Sequence, residues 1–179
     1  MSDVNSMKGK RAIVTGGGTG LGAATALGLA RRGVNLCINY NSSAEAANEV
    51  VAECQKLGVE AFAVKANVAE DADCRALVDA AVTKFGGLDV LINNAGITKF
   101  AAHSDLDALD AEDFLRLYKV NVVAVYQMTR AAKPHLAAAG KASVVNVSSI
   151  AGVTGIGSSI AYASTKGALN TMTLSLARA

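Results

Sequence analysis

The 179-residue chain is poor in the residues that mark special chemistry: two histidines, three cysteines, one proline and no tryptophan. His103 and His135 lie far apart with no metal-ligand spacing, so surface polar roles are expected and a metal site is not. Cys37, Cys54 and Cys74 are odd in number and widely separated. They fit neither a disulfide framework nor a zinc pattern; inert thiols in a reducing, cytoplasmic compartment are expected. Charge is scarce as well. A net charge of +2 gives no footing for nucleic acid or an anionic membrane. With 51% hydrophobic and 18% charged residues the chain is globular, and disorder is excluded. Two stretches lack charge, Ala12 to Ala30 and Ala142 to Thr165, but glycine, threonine, serine and asparagine interrupt both. Neither is the run of about 20 apolar residues that a spanning helix needs. Lys8 to Arg11 mimic the start of a signal peptide, yet only Ala12, Ile13 and Val14 follow before Thr and Gly, so no signal is read.

What is present alternates. Residues 1–9 are polar and read as a loose arm, and residues 10–179 as a single domain. Short apolar runs predict strands at Arg11 to Thr15, Val34 to Tyr40, Val59 to Lys65, Leu88 to Asn93 and Ser143 to Ser148. Helices are predicted at Ala23 to Arg32, Ala44 to Leu57, Asp71 to Phe85, Asp110 to about Ala132, and Ser159 to Arg178. Gly33, Gly58 and Gly86 stop three of them, and Pro134 is expected in the last turn of the fourth. Strand and helix in strict alternation predict an α/β fold: a doubly wound parallel sheet with helices on both faces. Strands such as Val34 to Ile38 are nearly continuous apolar runs, as a sheet covered on both sides requires. No linker or repeat interrupts the pattern.

Three constellations carry chemistry. The glycine cluster Gly16-Gly17-Gly18-Thr19-Gly20-Leu21-Gly22 sits where the first strand hands over to the first helix. Backbone N–H groups at such a helix start receive a pyrophosphate, and glycine lets the backbone come close. After the second strand, Asn39-Tyr40-Asn41-Ser42-Ser43 offers no carboxylate to bond a ribose 2′-hydroxyl and repel a 2′-phosphate. No Arg or Lys is near in sequence either, so the cofactor lean is to NADP(H), with NAD(H) possible. Asn93-Asn94-Ala95-Gly96 closes the fourth strand at the carboxyl edge of the sheet, where open α/β folds bind ligands. Finally, Tyr162 and Lys166 stand one helical turn apart, downstream of Ser149. An ammonium close to a phenol favours the phenolate, which can exchange a proton with a substrate oxygen near neutral pH.

Taken in this order, these motifs resemble the short-chain dehydrogenase/reductase family, and most of all the members related to 3-oxoacyl-carrier-protein reductase. The likeness runs from Lys10 to the last residue. It implies a Rossmann-type fold and an oxidoreductase that moves a hydride between a nicotinamide cofactor and a carbonyl or secondary alcohol. It assigns Thr15, Gly16, Gly18, Thr19, Gly20, Leu21 and Gly22 to the cofactor turn, with Asn41 and Ser42 beside the adenosine ribose. Asn67 and Val68 match a pair, usually Asp-Val, that touches adenine, and Asn94, Ala95 and Gly96 match the segment beside the nicotinamide ribose. It gives Ser149 the substrate oxygen, Tyr162 the proton transfer and Lys166 the ribose and the tyrosine. Asn121 is given a water in a proton relay.

Two departures stand out. The stretch between Gly96 and Asn121 is a few residues longer than is common. The chain also ends in the helix that carries the tyrosine, where family members continue with two more strands and a substrate lid, so a fragment or a truncated member is expected. An idle nucleotide-binding sensor or scaffold is the alternative; the joint presence of Ser149, Tyr162 and Lys166 weighs against it. Apolar residues on more than one side of the fourth and last helices imply a dimer or tetramer of identical chains. The acidic group from Asp105 to Asp113 is expected to favour a helix N-terminus.

Overall fold

The computed structural model describes residues 7–179; residues 1–6 of the expected arm lie outside the described part. Met7 to Gly9 form a turn, tied by the Gly9 N–H to the Gly33 carbonyl at 2.8 Å.

The chain runs β1 (Arg11–Val14), α1 (Gly20–Ala30), β2 (Asn35–Tyr40), α2 (Ala44–Lys56), β3 (Ala61–Lys65), α3 (Asp71–Phe85) and β4 (Val90–Asn93). After a 3₁₀ turn at Leu106–Ala108 come α4 (Ala111–Tyr118), a π turn (Lys119–Val123), α5 (Ala124–Ala138), β5 (Ser143–Asn146), a short α6 (Ala151–Thr154) and α7 (Ile160–Leu176). The five strands pair in parallel, in the order β3-β2-β1-β4-β5. The order reverses between β1 and β4, and that switch point is where a ligand crevice opens in such sheets.

Alternation along each strand builds two cores. Ile13, Cys37 and Leu91 face α3 and α5, meeting Leu77, Val78, Met128 and Ala132. Ala12, Val14, Leu36, Ile38 and Ile92 face α1 and α2, meeting Ala26, Ala30, Ala47 and Val50. Burial of each large aliphatic side chain contributes about 1.5–3 kcal/mol. Helices therefore cover both faces of β1, β2 and β4, the doubly wound arrangement that the sequence predicts. β5 differs. It pairs with β4 alone, and Val144 and Val145 remain 38% and 47% exposed.

Cys37, Cys54 and Cys74 are buried in these cores. Burial pushes the Cys37 thiol up to about 12, and those of Cys54 and Cys74 up to about 11.

The long helix expected from Asp110 departs from regularity twice. Its middle turn, Lys119–Val123, is π rather than α. Pro134 also lies inside α5 instead of closing it, and the helix runs on to Ala138. Leu136, buried against the α3 side of the core, holds that extra turn despite the missing proline N–H. At the start, Asp110 accepts from the Asp113 N–H at 2.9 Å and Asp113 reaches back to the Asp110 N–H, a reciprocal cap. Asp113 also holds Lys99. Asp110 and Asp113 are thus engaged in starting and anchoring α4, and among the described residues no cluster of His, Cys, Asp and Glu is placed to bind a metal ion.

Candidate active site

A cleft of about 400 Å³ opens at the switch point. Its floor is the turn from Gly16 to Gly22, which delivers β1 into α1. Gly16 has φ +60°, a left-handed conformation that favours glycine. At Gly22 a Cβ would strike the Gly16 carbonyl oxygen and come within 2.5 Å of Asn94 Nδ2, so only glycine lets this turn close. The hydroxyl of Thr19, the residue before α1, makes no capping bond, and the first turn of α1 holds no acid. One wall carries Asn41, Asn67 and Val68 from the ends of β2 and β3; the other carries Asn94, Ala95 and Gly96 from the end of β4. A recess of about 80 Å³ continues the cleft toward Gly18, Tyr40, Ser42 and Ser43.

Thr15 stands behind the turn, almost wholly buried. Its hydroxyl donates to the Ile92 carbonyl and accepts from the N–H groups of Asn94 and Ala95, each at 3.0 Å. Asn94 returns the contact, its Nδ2 donating to the carbonyls of Thr15 at 2.9 Å and Gly16 at 3.1 Å. Asn39 does the same work on the other side. Its Oδ1 accepts from the Gly16 N–H at 3.2 Å, and its Nδ2 donates to the Ala66 carbonyl at 2.9 Å. The ends of β1, β2, β3 and β4 are thus tied to one another beneath the cleft.

The candidate reactive end is built on β5, α7 and the π turn. Ser159 caps α7 by accepting from the Tyr162 N–H at 3.2 Å. One turn on, Lys166 is buried; its ammonium donates to the Val147 carbonyl at 2.8 Å and lies 5.7 Å from the centre of the Tyr162 ring. Burial holds the Lys166 ammonium below its ordinary lysine value. Gly96 brings this end to the cleft: a Cβ there would sit 3.3 Å from Asn121 Oδ1 and 3.8 Å from Lys166 Nζ. Ser149, half-buried just past β5, accepts from the Ala151 N–H at 3.2 Å, which leaves its own hydrogen free to donate.

Asn121 sits in the π turn with 1% exposure and pairs with both polar groups of the Ile97 backbone, at 2.9 Å each. Its Nδ2 also donates to Thr165 Oγ1 at 3.1 Å, and that hydroxyl donates to the Tyr162 carbonyl at 2.7 Å. A π turn widens the helix by one residue and so re-aims a side chain, a device frequent at functional sites.

The residues singled out in the sequence thus fall into two groups. Gly16, Thr19, Gly20, Leu21, Gly22, Asn41, Asn67, Val68, Asn94, Ala95 and Gly96 line the main cleft, while Gly18 and Ser42 line its recess. Thr15 is a brace behind it. Lys166 and Asn121 flank Gly96 at the far end, Tyr162 stands one turn before Lys166 on α7, and Ser149 lies past the end of β5, outside the cleft lining. Asn93 was read with its motif, and it donates to Asn146 at 2.9 Å; the roles of Asn39, Thr165 and Asn146 were not foreseen. Their partners are distant in sequence, so no local pattern marks them; an asparagine ending a strand is the one available hint.

Residues 10–179 match the family model described as short chain dehydrogenase. The chain belongs to that family. It is 36% identical over 169 residues to a 3-oxoacyl-[acyl-carrier-protein] reductase of Staphylococcus aureus, covering 94% of this chain and 68% of the relative. Among solved structures it is similar to a short chain dehydrogenase from Burkholderia cenocepacia in complex with NADP: TM-score 0.87, 38% identity, 96% of this chain and 69% of that one. It is equally close in shape to an NAD⁺-bound xylitol dehydrogenase, with TM-score 0.87 and 32% identity over 94% of this chain and 64% of that one. Other curated members run longer, and this short-chain dehydrogenase sequence spans 65% of their length. Among its described residues no helix is long and apolar enough to cross a membrane.

Proposed function

We propose that the chain carries the cofactor-binding and catalytic part of an NAD(P)-dependent oxidoreductase acting on a carbonyl or secondary alcohol. The observation that carries this reading is the approach of Lys166 and Asn121 to Gly96, which joins the tyrosine helix to the end of the glycine cleft.

The residues present fit a nicotinamide dinucleotide. The turn before α1 offers backbone N–H groups and no acid to a pyrophosphate, and a Cβ at Gly22 would spoil it. Asn94 to Gly96 and Lys166 would hold the nicotinamide half; Asn67 and Val68 would hold adenine. When bound, the cofactor supplies or takes up a hydride. The chain's own residues do the rest. The Ser149 hydroxyl donates to the substrate oxygen. Tyr162 gives that oxygen a proton, or removes one in the reverse direction. Lys166 sets a positive charge beside the phenol. Both amide hydrogens of Asn121 are spent on Ile97 and Thr165, so in a relay from Lys166 through water its side chain serves only as an acceptor.

The cofactor reading favours NADP(H), with NAD(H) accepted. Asn41 and Ser42 bring no carboxylate to the adenosine ribose. In addition the strand register sets Lys65 opposite Tyr40, a cation that is remote in sequence but adjacent in the sheet. Solved relatives with NADP and with NAD⁺ leave both open. The protein is proposed to work in the cytoplasm, where its three buried thiols stay reduced. It is also proposed to assemble as a dimer or tetramer through α5 and α7, where Tyr126 and Leu174 stand exposed.

The test is a titration of the purified protein with NADPH and NADH by nicotinamide fluorescence, followed by turnover on a panel of ketones. NADPH binding at least as tightly as NADH, with turnover of some ketone, is expected. Clear preference for NADH ends the cofactor reading, and binding with no turnover of any ketone or alcohol ends the catalytic one.

A further inference from the structure

Two loops, one of them packed on Tyr162, are fastened to each other. The loop after β4 meets the loop after α6 through the Thr98 and Ser158 hydroxyls. The Ala101 N–H adds a bond to the Ser158 carbonyl at 2.9 Å, and His103 Nε2 lies 3.1 Å from the Gly155 carbonyl oxygen. The second loop is seated on the reactive tyrosine: a Cβ on Gly157 would lie 2.8 Å from the Ala151 Cβ and 3.5 Å from Tyr162 Cδ1. The fastened pair is therefore a rim of fixed shape next to the proton-transferring group.

That rim is apolar. Phe100, Ile150, Val153 and Ile156 are 83%, 72%, 77% and 74% exposed, and no charged residue occurs from Ala142 to Thr165. Ile150 directly follows Ser149 in the chain. The charges that do lie near the rim give no grip on an anion. Lys99 is held by Asp113, Lys166 is buried on the Val147 carbonyl, and Asp105 and Asp107 in the first loop are acidic. A phosphorylated or carboxylated substrate finds no free cation among these groups, whereas a hydrocarbon body finds four exposed apolar side chains.

We propose that the substrate is an uncharged, apolar ketone or secondary alcohol whose body lies on the rim of Phe100, Ile150, Val153 and Ile156. This rests on the oxidoreductase reading above and adds the chemical class of its substrate. Water leaves the apolar surfaces on both sides when they meet, so each methylene that reaches the rim strengthens binding by up to about fourfold. The fixed loops keep the carbonyl end at Ser149 and Tyr162 while the body varies.

The experiment measures kcat/KM for a homologous series of neutral 2-alkanones, and for ω-carboxylate versions of the same ketones, with saturating cofactor. In the wild type kcat/KM is expected to climb about two- to fourfold per methylene over several members, and the carboxylates to fall at least about tenfold below their neutral partners. In the double variant Phe100→Ser, Ile156→Ser the climb flattens while the shortest ketone is turned over as before. A flat series in the wild type, or carboxylates turned over as well as neutral ketones, overturns the proposal. So does a slope that survives the double substitution; a changed assembly state in light scattering then marks the rim as a contact between copies. No turnover of any ketone, in the presence of demonstrated cofactor binding, is a different result: it removes the oxidoreductase reading itself.

Discussion

The two sides of the sheet are stabilised in different ways. On the side of β1 and β2 the backbone is covered by α1, α2 and α3 and the strand centres are fully buried, while β3 beyond them is partly buried. On the side of β5 the strand is half open, and hydrogen bonds replace burial. Asn93 donates to Asn146, which donates to Thr173 of α7 at 3.0 Å, so a chain of polar side chains ties β4 to the tyrosine helix. The glycine floor of the cleft stands on the buried side, and Ser149, Tyr162 and Lys166 follow the open strand. Cofactor binding and catalysis should therefore respond differently to the same kind of damage.

The largest expected effect separates the two functions directly. Tyr162→Phe removes the proposed proton donor and should lower turnover by roughly 10²–10⁴-fold, while the cofactor dissociation constant, read by fluorescence, stays put. Near-normal turnover would take Tyr162 out of the reaction. Next comes the contrast in packing. Leu91→Ala, in the buried sheet, should cost about 2–5 kcal/mol in urea unfolding. Val144→Ala, on the open strand, should cost under about 1 kcal/mol. Equal losses would mean that β5 is covered as thoroughly as β4. Gly22→Ala should strike the cleft alone, since its Cβ meets the Gly16 carbonyl and Asn94; crowding of this kind costs about 1–3 kcal/mol. Cofactor affinity should fall about tenfold or more, and an unchanged affinity would show that the turn can shift to make room.

The smallest effect concerns Lys166. Its folded-state value is depressed below the ordinary 10.5 by burial. Below the folded value the lysine is charged in both states, and folding bears the whole cost of burying that charge. Between the folded value and 10.5 the unfolded chain holds more protons, so stability rises with pH. Lys166→Met lacks this dependence. It should be inactive yet at least as stable as the wild type at pH 7, with the gap closing as pH approaches 10.5. A gap that widens with pH would mean that the charged form is favoured in the fold.

Much of this arrangement was legible in the chain because it is local. α3 runs from Asp71 to Phe85, the span the sequence predicts, since acids open it and Gly86, with φ +74°, stops it. The glycine turn was equally plain between an apolar strand and a helix. Other features hung on partners far away. The π turn at Asn121 is invisible to helical periodicity, because it is set by Ile97 and Thr165, 24 and 44 residues distant. Asn39 looked like one polar residue ending a strand, and its role appears only when β1 and β3 arrive beside it. Lys65 was too remote from Asn41 to count until the strand register placed it opposite Tyr40. α6 is one turn of four residues, too short to leave a period.

The three sealed thiols make the molecule its own stopwatch. Cys37 lies in β2, Cys54 in α2 and Cys74 in α3, so together they sample the sheet and a helix on each of its faces. A thiol pushed up to about 11 or 12 presents almost no thiolate at neutral pH, and reagents that alkylate thiolates pass it by. Labelling then waits for an opening event, and the order in which the three cysteines are marked records which layer parts first.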